Sequence, residues 1–413
     1  MKILFLTNLY PPNIVGGYER LCFDVASGFV AREHEVIVLT SDYGGKVEDF
    51  LGQRVERNLK LFTTEGDIYQ PLECTPEDRA AINVCNSEML IKIVERDRPQ
   101  VIFVWNLFFL DPSLVKTIER LGLPTAYLLT DNWFIVFLNP VFMQDYFARR
   151  VFDHQPTPSF NLALKRWVKR FGNQPFHIRG HAIFASRFMR DLYAEAGFHF
   201  EGNTVIYHGV NLPEHPQTDF IDRRQLIQQG EIRLLVAGRI VEIKGVHSAI
   251  EALLPISHML PDMKVRLTVL GSDQDRTYMK KLHDQIAQLG VTNLVDFAMP
   301  VVEDELFKLF QIYDIYLFPS LYEPFSLTLI HALNAGIPTV ASKAGGNPEI
   351  VRHMKTGMLF SKGDAQELAN SVVKLATDGS LRQSISENAR IIARRYNFER
   401  MFGEVEQLLK KIQ

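Results

Sequence analysis

The chain has 413 residues, 46% of them hydrophobic, which is the composition of a soluble globular protein with room for two domains. A formal charge of −3 supplies no basic surplus for nucleic acid, and three scattered cysteines (Cys22, Cys74, Cys85) make neither a zinc site nor a disulfide framework. No apolar run reaches the ~18 residues of a spanning helix, and the stretch 1–7 is too short for a secretory leader. The expectation is a cytoplasmic protein with reduced thiols, with association to a membrane surface left open.

Residues 3–6 form a short apolar run of the kind found in buried parallel strands. A loop with Tyr10-Pro11-Pro12 and Gly16-Gly17 follows. Leu21, Val25 and Phe29 then recur at helical spacing over 18–31. Residues 35–39, 101–105, 126–129 and 182–185 repeat the strand signature, and 76–96 reads as a helix between two of them. Strands alternating with helices predict a parallel sheet covered on both faces.

A second cycle opens near Ile232. Strands are expected at 234–237, 265–270, 294–297, 315–318 and 339–341, and helices at 246–254 and 278–289. Gly238-Arg239 and Gly271 close the first two strands. The join falls within 206–224, where Gly209, Pro213 and Pro216 interrupt regular structure. The last segment, 381–412, is helical with a kink near Tyr396-Asn397.

The segment 132–180 departs from this alternation. It is dense in aromatics (Trp133, Phe134, Phe137, Phe142, Tyr146, Phe147, Phe152, Phe160, Trp167, Phe171, Phe176), and its bases outnumber its acids. Two readings stand: helices packing aromatics into the first domain's core, or an aromatic, basic face for a membrane surface or an anionic acceptor.

Several residues have the chemistry of an anion and sugar site. Gly16-Gly17 opens a helix directly after a strand, so it is either a phosphate approach or a plain tight turn. Arg239 and Lys244 flank a short loop after the strand 234–237; a guanidinium fork and an ammonium suit a diphosphate. Glu323 precedes a helix expected to start near Phe325. The amides of Phe325, Ser326 and Leu327 suit anionic oxygens there, and the carboxylate suits sugar hydroxyls. His331 lies two turns on. Gly345-Gly346-Asn347-Pro348-Glu349 repeats the pattern of free amides followed by a carboxylate. Asp131, after the strand 126–129, either meets a substrate hydroxyl or caps the next segment. There is no Ser-His-Asp order, metal-ligand cluster or dinucleotide fingerprint.

In this order, Gly16-Gly17-Tyr18-Glu19-Arg20, Gly238-Arg239-Ile240-Val241-Glu242-Ile243-Lys244-Gly245, Glu323-Pro324-Phe325-Ser326-Leu327 and Gly345-Gly346-Asn347-Pro348-Glu349-Ile350-Val351 resemble a retaining glycosyltransferase of the GT-B fold, in the large family 4 group. The resemblance implies an α/β chain of two Rossmann-like, doubly wound parallel-sheet domains facing a cleft. The acceptor-side domain is then 1–205, the nucleotide-sugar donor domain 206–395, and 396–413 a helix crossing back. It implies that Arg239 and Lys244 hold the donor diphosphate, that Glu323 contacts the donor sugar, and that Gly16 and Gly17 approach the donor phosphates. Phe325, Ser326, Leu327 and His331 complete the donor-binding set. The implied reaction is a front-face displacement that needs no metal or other cofactor, with the leaving diphosphate helping to deprotonate a glycan, lipid-linked or small-molecule acceptor.

Two departures from the family pattern stand out. His331 occupies the place of the family's second glutamate, which holds the ribose hydroxyls, and an imidazole cannot chelate both. The histidines that relatives carry after the middle strands are replaced by Phe103-Val104-Trp105-Asn106 and Thr130-Asp131, which leaves Asp131 as the catalytic carboxylate. The alternatives to a transferase are a non-catalytic scaffold of the same fold and a sugar-nucleotide epimerase.

Overall fold

The computed structural model describes residues 1–14, 16–45, 52–68, 70–152, 175–212, 220–223, 230–302 and 305–413. They divide into two compact units, Met1–Tyr207 with Met401–Gln413, and His208–Arg400.

The first unit is built on a seven-stranded sheet in the order β3-β2-β1-β4-β5-β6-β7. Its strands are β1 (Lys2–Thr7), β2 (Glu35–Ser41), β3 (Arg54–Leu59), β4 (Val101–Asn106), β5 (Thr125–Leu129), β6 (Phe176–Phe184) and β7 (Phe198–Val205). Every neighbouring pair is parallel. β4 and β5 are buried at every position. Helices on both faces of a parallel sheet produce that pattern, and it is why these strands read as plain apolar runs.

The edge strands β3 and β7 were not among the expected elements. Polar residues (Arg54, Glu56, Arg57 and Asn58; His199, Glu201, Asn203 and Thr204) are mixed with apolar ones in both, as suits an edge strand with a wet side. β6 starts at Phe176 rather than at 182, and Phe176 stacks on Phe198 of β7 with ring centroids 4.9 Å apart. Its register slips between Ile178 and His181, where Gly180 has φ +115. The tail of the aromatic segment is therefore sheet.

Within the rest of that segment, Trp133 and Phe134 are buried while Phe137, Phe142, Tyr146, Phe147 and Phe152 are half-buried. Arg149 and Arg150 are exposed. Phe160, Lys165, Arg166, Trp167, Lys169, Arg170 and Phe171 lie outside the described residues. Among the described residues no helix is long and apolar enough to cross a membrane.

The second unit holds a six-stranded sheet in the order β10-β9-β8-β11-β12-β13. Its strands are β8 (Glu231–Ala237), β9 (Lys264–Leu270), β10 (Val295–Ala298), β11 (Ile315–Phe318), β12 (Thr339–Ser342) and β13 (Met358–Phe360), again all parallel. Leu234, Leu267, Val269, Ile315, Leu317 and Val340 form its core with Leu368, Val372 and Leu375 of the helix Ala365–Thr377. Each sheet reverses its strand order once, between β1 and β4 and between β8 and β11. Open α/β sheets bind ligands beyond the carboxyl ends of the strands at such a reversal.

The C-terminal segment runs as the helix Gly379–Ala393, a 3-10 turn Arg394–Tyr396, and the helix Phe398–Ile412, so it bends at Asn397 as expected. Residues from Met401 onward pack in the first unit. Phe402 lies 4.8 Å from Phe29, over Gly28, where a Cβ would come within 2.8 Å of its ring. Glu406 accepts a hydrogen bond from Arg32 at 2.6 Å and meets His34 Nε2 at 2.8 Å.

Candidate functional site

The β8–β11 reversal brings together residues that are far apart in sequence. Gly238 follows β8 with φ +148, in the left-handed region open to glycine. Its carbonyl comes so close to the end of β9 that a Cβ on Gly271 would sit 1.8 Å from it. Arg239 is exposed, and Ile240 beneath it is 1% exposed and anchors the loop. A 3-10 turn, Glu242–Lys244, then ends at Gly245 with φ +67. A Cβ on Gly245 would fall 2.1 Å from the Pro319 carbonyl, so the β8 loop lies directly against the end of β11. The Leu321 amide donates to the Ile243 carbonyl at 2.8 Å and ties the two loops together.

In this setting Lys244 Nζ donates to Glu323 Oε2 at 2.6 Å, and Ser320 Oγ donates to the same oxygen at 3.4 Å. The Lys244 ammonium stands 5.8 Å from the centre of the Phe318 ring. Glu323 is 7% exposed, so its charge sits in a partly desolvated place where one cation is already supplied.

Gly345-Gly346 has a different role from the one expected. Gly345 has φ +55, and a Cβ there would lie 1.9 Å from the Glu323 carbonyl. The Gly346 amide donates to that carbonyl at 2.8 Å. This pair holds the Glu323 backbone, so the Gly346 amide is not free for an anion. Asn347 and Glu349 continue into the short helix Asn347–Ile350.

The helix after Glu323 also starts later than expected. It spans Leu327–Ala335, with Ser326 as its cap accepting the Leu329 amide at 3.1 Å. Its first-turn amides are those of Leu327, Thr328 and Leu329. Phe325 precedes the helix, its ring buried between His208 and Tyr396 at centroid distances of 5.6 and 5.9 Å. His331 is half-buried on this helix. Burial holds the neighbouring His208 imidazole down at about 4, so it is neutral near pH 7.

A second cluster lies at the β1–β4 reversal. Gly16 is extended, with φ −152, and its amide donates to Glu19 Oε2 at 2.9 Å, the half of a capping box that needs no side chain at the N-cap. This end of the helix Gly17–Ala31 thus already carries a carboxylate, which favours the tight-turn reading of Gly16-Gly17 over a phosphate cradle. Tyr18, one residue further, donates its hydroxyl to Asn8 Oδ1 at 2.8 Å. Asn8 follows β1, and its Nδ2 donates to the Phe108 carbonyl at 2.9 Å. Asn106 ends β4; its Oδ1 accepts the Phe108 amide at 2.7 Å and its Nδ2 donates to Asp131 Oδ2 at 3.4 Å. Asp131 Oδ1 accepts the Trp133 amide at 2.9 Å, and the Asp131 carbonyl accepts the Tyr193 hydroxyl at 3.0 Å.

A continuous network therefore joins Tyr18 to Asp131. Burial pushes the Asp131 carboxyl up to about 6, opposed by the Trp133 amide, whose hydrogen bond favours the ionised form. Burial and the nearby Glu19 and Asp131 charges raise the Tyr18 hydroxyl well above its usual range. Asp131 caps the segment after it and keeps one oxygen on Asn106, so capping and substrate contact are compatible. Tyr18 and Asn106 were quoted within family motifs without a role, and Asn8 was not singled out at all; its one signal was its place at a strand end.

Comparison with known proteins bears on the family and the fold. A family model described as Glycosyl transferases group 1 matches residues 217–391, and one described as Glycosyltransferase Family 4 matches 15–214. The chain is 27% identical to a glycosyltransferase of Methanocaldococcus jannaschii over 428 aligned residues, covering 99% of this chain and 98% of the other. It superposes on sucrose-phosphate synthase from Thermosynechococcus elongatus with a TM-score of 0.72 at 18% identity, covering 100% and 99% of the two chains. An Anabaena protein solved in complex with UDP-glucose matches with a TM-score of 0.66 at 22% identity, covering 100% of both.

Proposed function

The chain belongs to the family 4 glycosyltransferases, folds as a GT-B protein and is a nucleotide-sugar-dependent transferase, and from that premise we propose a retaining, metal-independent transfer to a hydroxyl acceptor. The observation that carries this reading is the Lys244–Glu323 pair at the β8–β11 reversal, with Arg239 exposed on the same loop. Two cations and the first-turn amides of Leu327 and Thr328 neutralise a diphosphate, including the charge that grows on it as it leaves. Glu323 exchanges Lys244 for hydroxyls of the donor sugar when Lys244 turns to phosphate. The acceptor oxygen forms its bond to the anomeric carbon on the face from which the diphosphate departs. The acceptor proton passes to the leaving diphosphate, and because the new bond forms on the face the diphosphate leaves, configuration is retained.

Asp131 takes the acceptor hydroxyl. Ionised above about pH 6, its carboxylate accepts a hydrogen bond from that hydroxyl and orients it, while the proton itself goes to the diphosphate. Arg239 and Lys244 supply the cationic charge that a divalent ion provides in metal-dependent transferases.

The test is a donor panel that begins with UDP-glucose, run with and without a chelator, with the product anomer read by NMR. Retention in chelator supports the proposal. An inverted product, or activity restored only by a divalent ion, overturns it. Donor consumption without any acceptor points instead to an epimerase.

A further inference from the structure

The Asp131 carboxylate is set in an aromatic frame that the transfer chemistry leaves unused. The hydrogen bonds already described run from Asp131 through Asn106 to the Phe108 amide, and from Asp131 to the Trp133 amide. The circle closes through rings: Phe108 lies nearly parallel to Phe137, with planes 24° apart and centroids 6.4 Å apart, and Phe137 meets Trp133 edge-on at 5.4 Å. Trp133 is 1% exposed and forms the floor, whereas Phe108 and Phe137 are half-buried and keep open surface. The turn presenting Phe108 places the next residue, Phe109, at φ +67, a conformation costly for a bulky side chain and held by the Phe62 amide on the Phe109 carbonyl at 2.7 Å.

We propose that Phe108 and Phe137 form a stacking platform beside Asp131 that takes the acceptor as a sugar ring, whose apolar C–H face lies on the rings while a hydroxyl meets the carboxylate. This rests on the transferase reading and adds the chemical class of its acceptor.

The chemistry favours a sugar over an acyl chain. A pyranose has one apolar face and a rim of hydroxyls, which matches flat rings beside a carboxylate and an amide. An acyl chain carries no donor for the lone pairs Asp131 has left beyond Trp133 and Asn106, whereas a sugar hydroxyl supplies one.

Saturation-transfer NMR with methyl α-glucopyranoside, methyl α-galactopyranoside and decyl maltoside tests this directly. The expected result is strong saturation of ring C–H protons in at least one glycoside, reduced at least fivefold in Phe108→Leu and Phe137→Leu and retained in Phe137→Tyr. Thermal melts confirm that each variant is folded. With an active acceptor, the acceptor KM rises about tenfold in the leucine variants while the donor KM stays unchanged. Saturation confined to the decyl chain, or an acceptor KM unmoved in folded leucine variants of an active enzyme, overturns the platform and leaves the transferase reading standing. Ring saturation that needs Phe108 and Phe137, in a protein that transfers no sugar from any donor, does the reverse.

Discussion

Lys244 Nζ and Glu323 Oε2 stand 2.6 Å apart, although 79 positions separate them in sequence, and each is assigned to a different part of the donor. The side chains are 24% and 9% exposed, so the pair is partly desolvated and each charge is the other's main compensation. In the proposed reaction, a donor that draws Lys244 to its diphosphate frees Glu323 for sugar hydroxyls in the same movement. The pair holds both side chains in place until the ligand exchanges them.

Lys244→Ala removes one of the two cations proposed for the diphosphate and leaves Glu323 Oε2 with the Ser320 hydroxyl. The expected result is a loss of kcat/KM of at least about 100-fold, with the fold kept and Tm lowered. Steady-state kinetics beside far-UV circular dichroism check this. Turnover close to that of the native chain sinks the phosphate assignment.

Gly345→Ala strikes the same site through the backbone. The residue has φ +55, and a Cβ there meets the Glu323 carbonyl at 1.9 Å. Gly363 also has a left-handed φ, of +76, but open space around its Cβ position. The expectation is that Gly363→Ala costs about 1 kcal/mol, for backbone conformation alone, while Gly345→Ala costs more than about 2 kcal/mol and weakens donor binding. Urea melts of both variants and calorimetry with the donor decide it; equal costs would show that the contact with Glu323 yields easily.

The Asp131 carboxyl is raised to about 6 in the folded chain, so it is largely protonated below that pH. A role for the carboxylate predicts a kcat/KM that climbs through pH 6, with Asp131→Asn losing both that limb and most activity. Stability moves the other way. A raised carboxyl binds more protons folded than unfolded, so its ionisation costs stability as pH rises from about 4 to 6. Asp131→Asn is therefore expected to be about 1 kcal/mol more stable at pH 7. A flat pH profile in the native chain would remove Asp131 from the chemistry.

Glu406 tests how the C-terminal segment is held. Hydrogen bonds from Lys410, His34 and Arg32 hold its carboxyl at about 2 against the desolvation that raises it. A lowered carboxyl contributes stability that is present above pH 4.5 and is lost as pH falls towards 2. Glu406→Gln is expected to cost about 2 kcal/mol at pH 7 and to flatten the acid limb of the stability curve. Thermal melts between pH 2.5 and 7 measure both.

Most of the fold was legible in the sequence because buried parallel strands announce themselves as unbroken apolar runs, as in Val101-Ile102-Phe103-Val104 and Leu234-Leu235-Val236-Ala237. The glycines and cations at the ends of those runs marked the cluster at the β8–β11 reversal for the same reason: ligand residues of an open sheet follow its strands. β3 and β7 were hidden because an edge strand mixes polar and apolar positions and looks like a loop.

Residue types alone picked out the groups proposed for a diphosphate and a sugar. Only the tertiary structure decided their partners, because partnership depends on which strands become neighbours, and the reversal of strand order places β8 beside β11 and β1 beside β4. That adjacency turned Lys244 and Glu323 into a pair, gave Gly345-Gly346 to the Glu323 backbone, and joined Tyr18, Asn8 and Asn106 to Asp131. Chain spacing carries no trace of such contacts, since a hydrogen bond depends on angstroms of space and not on positions along the sequence.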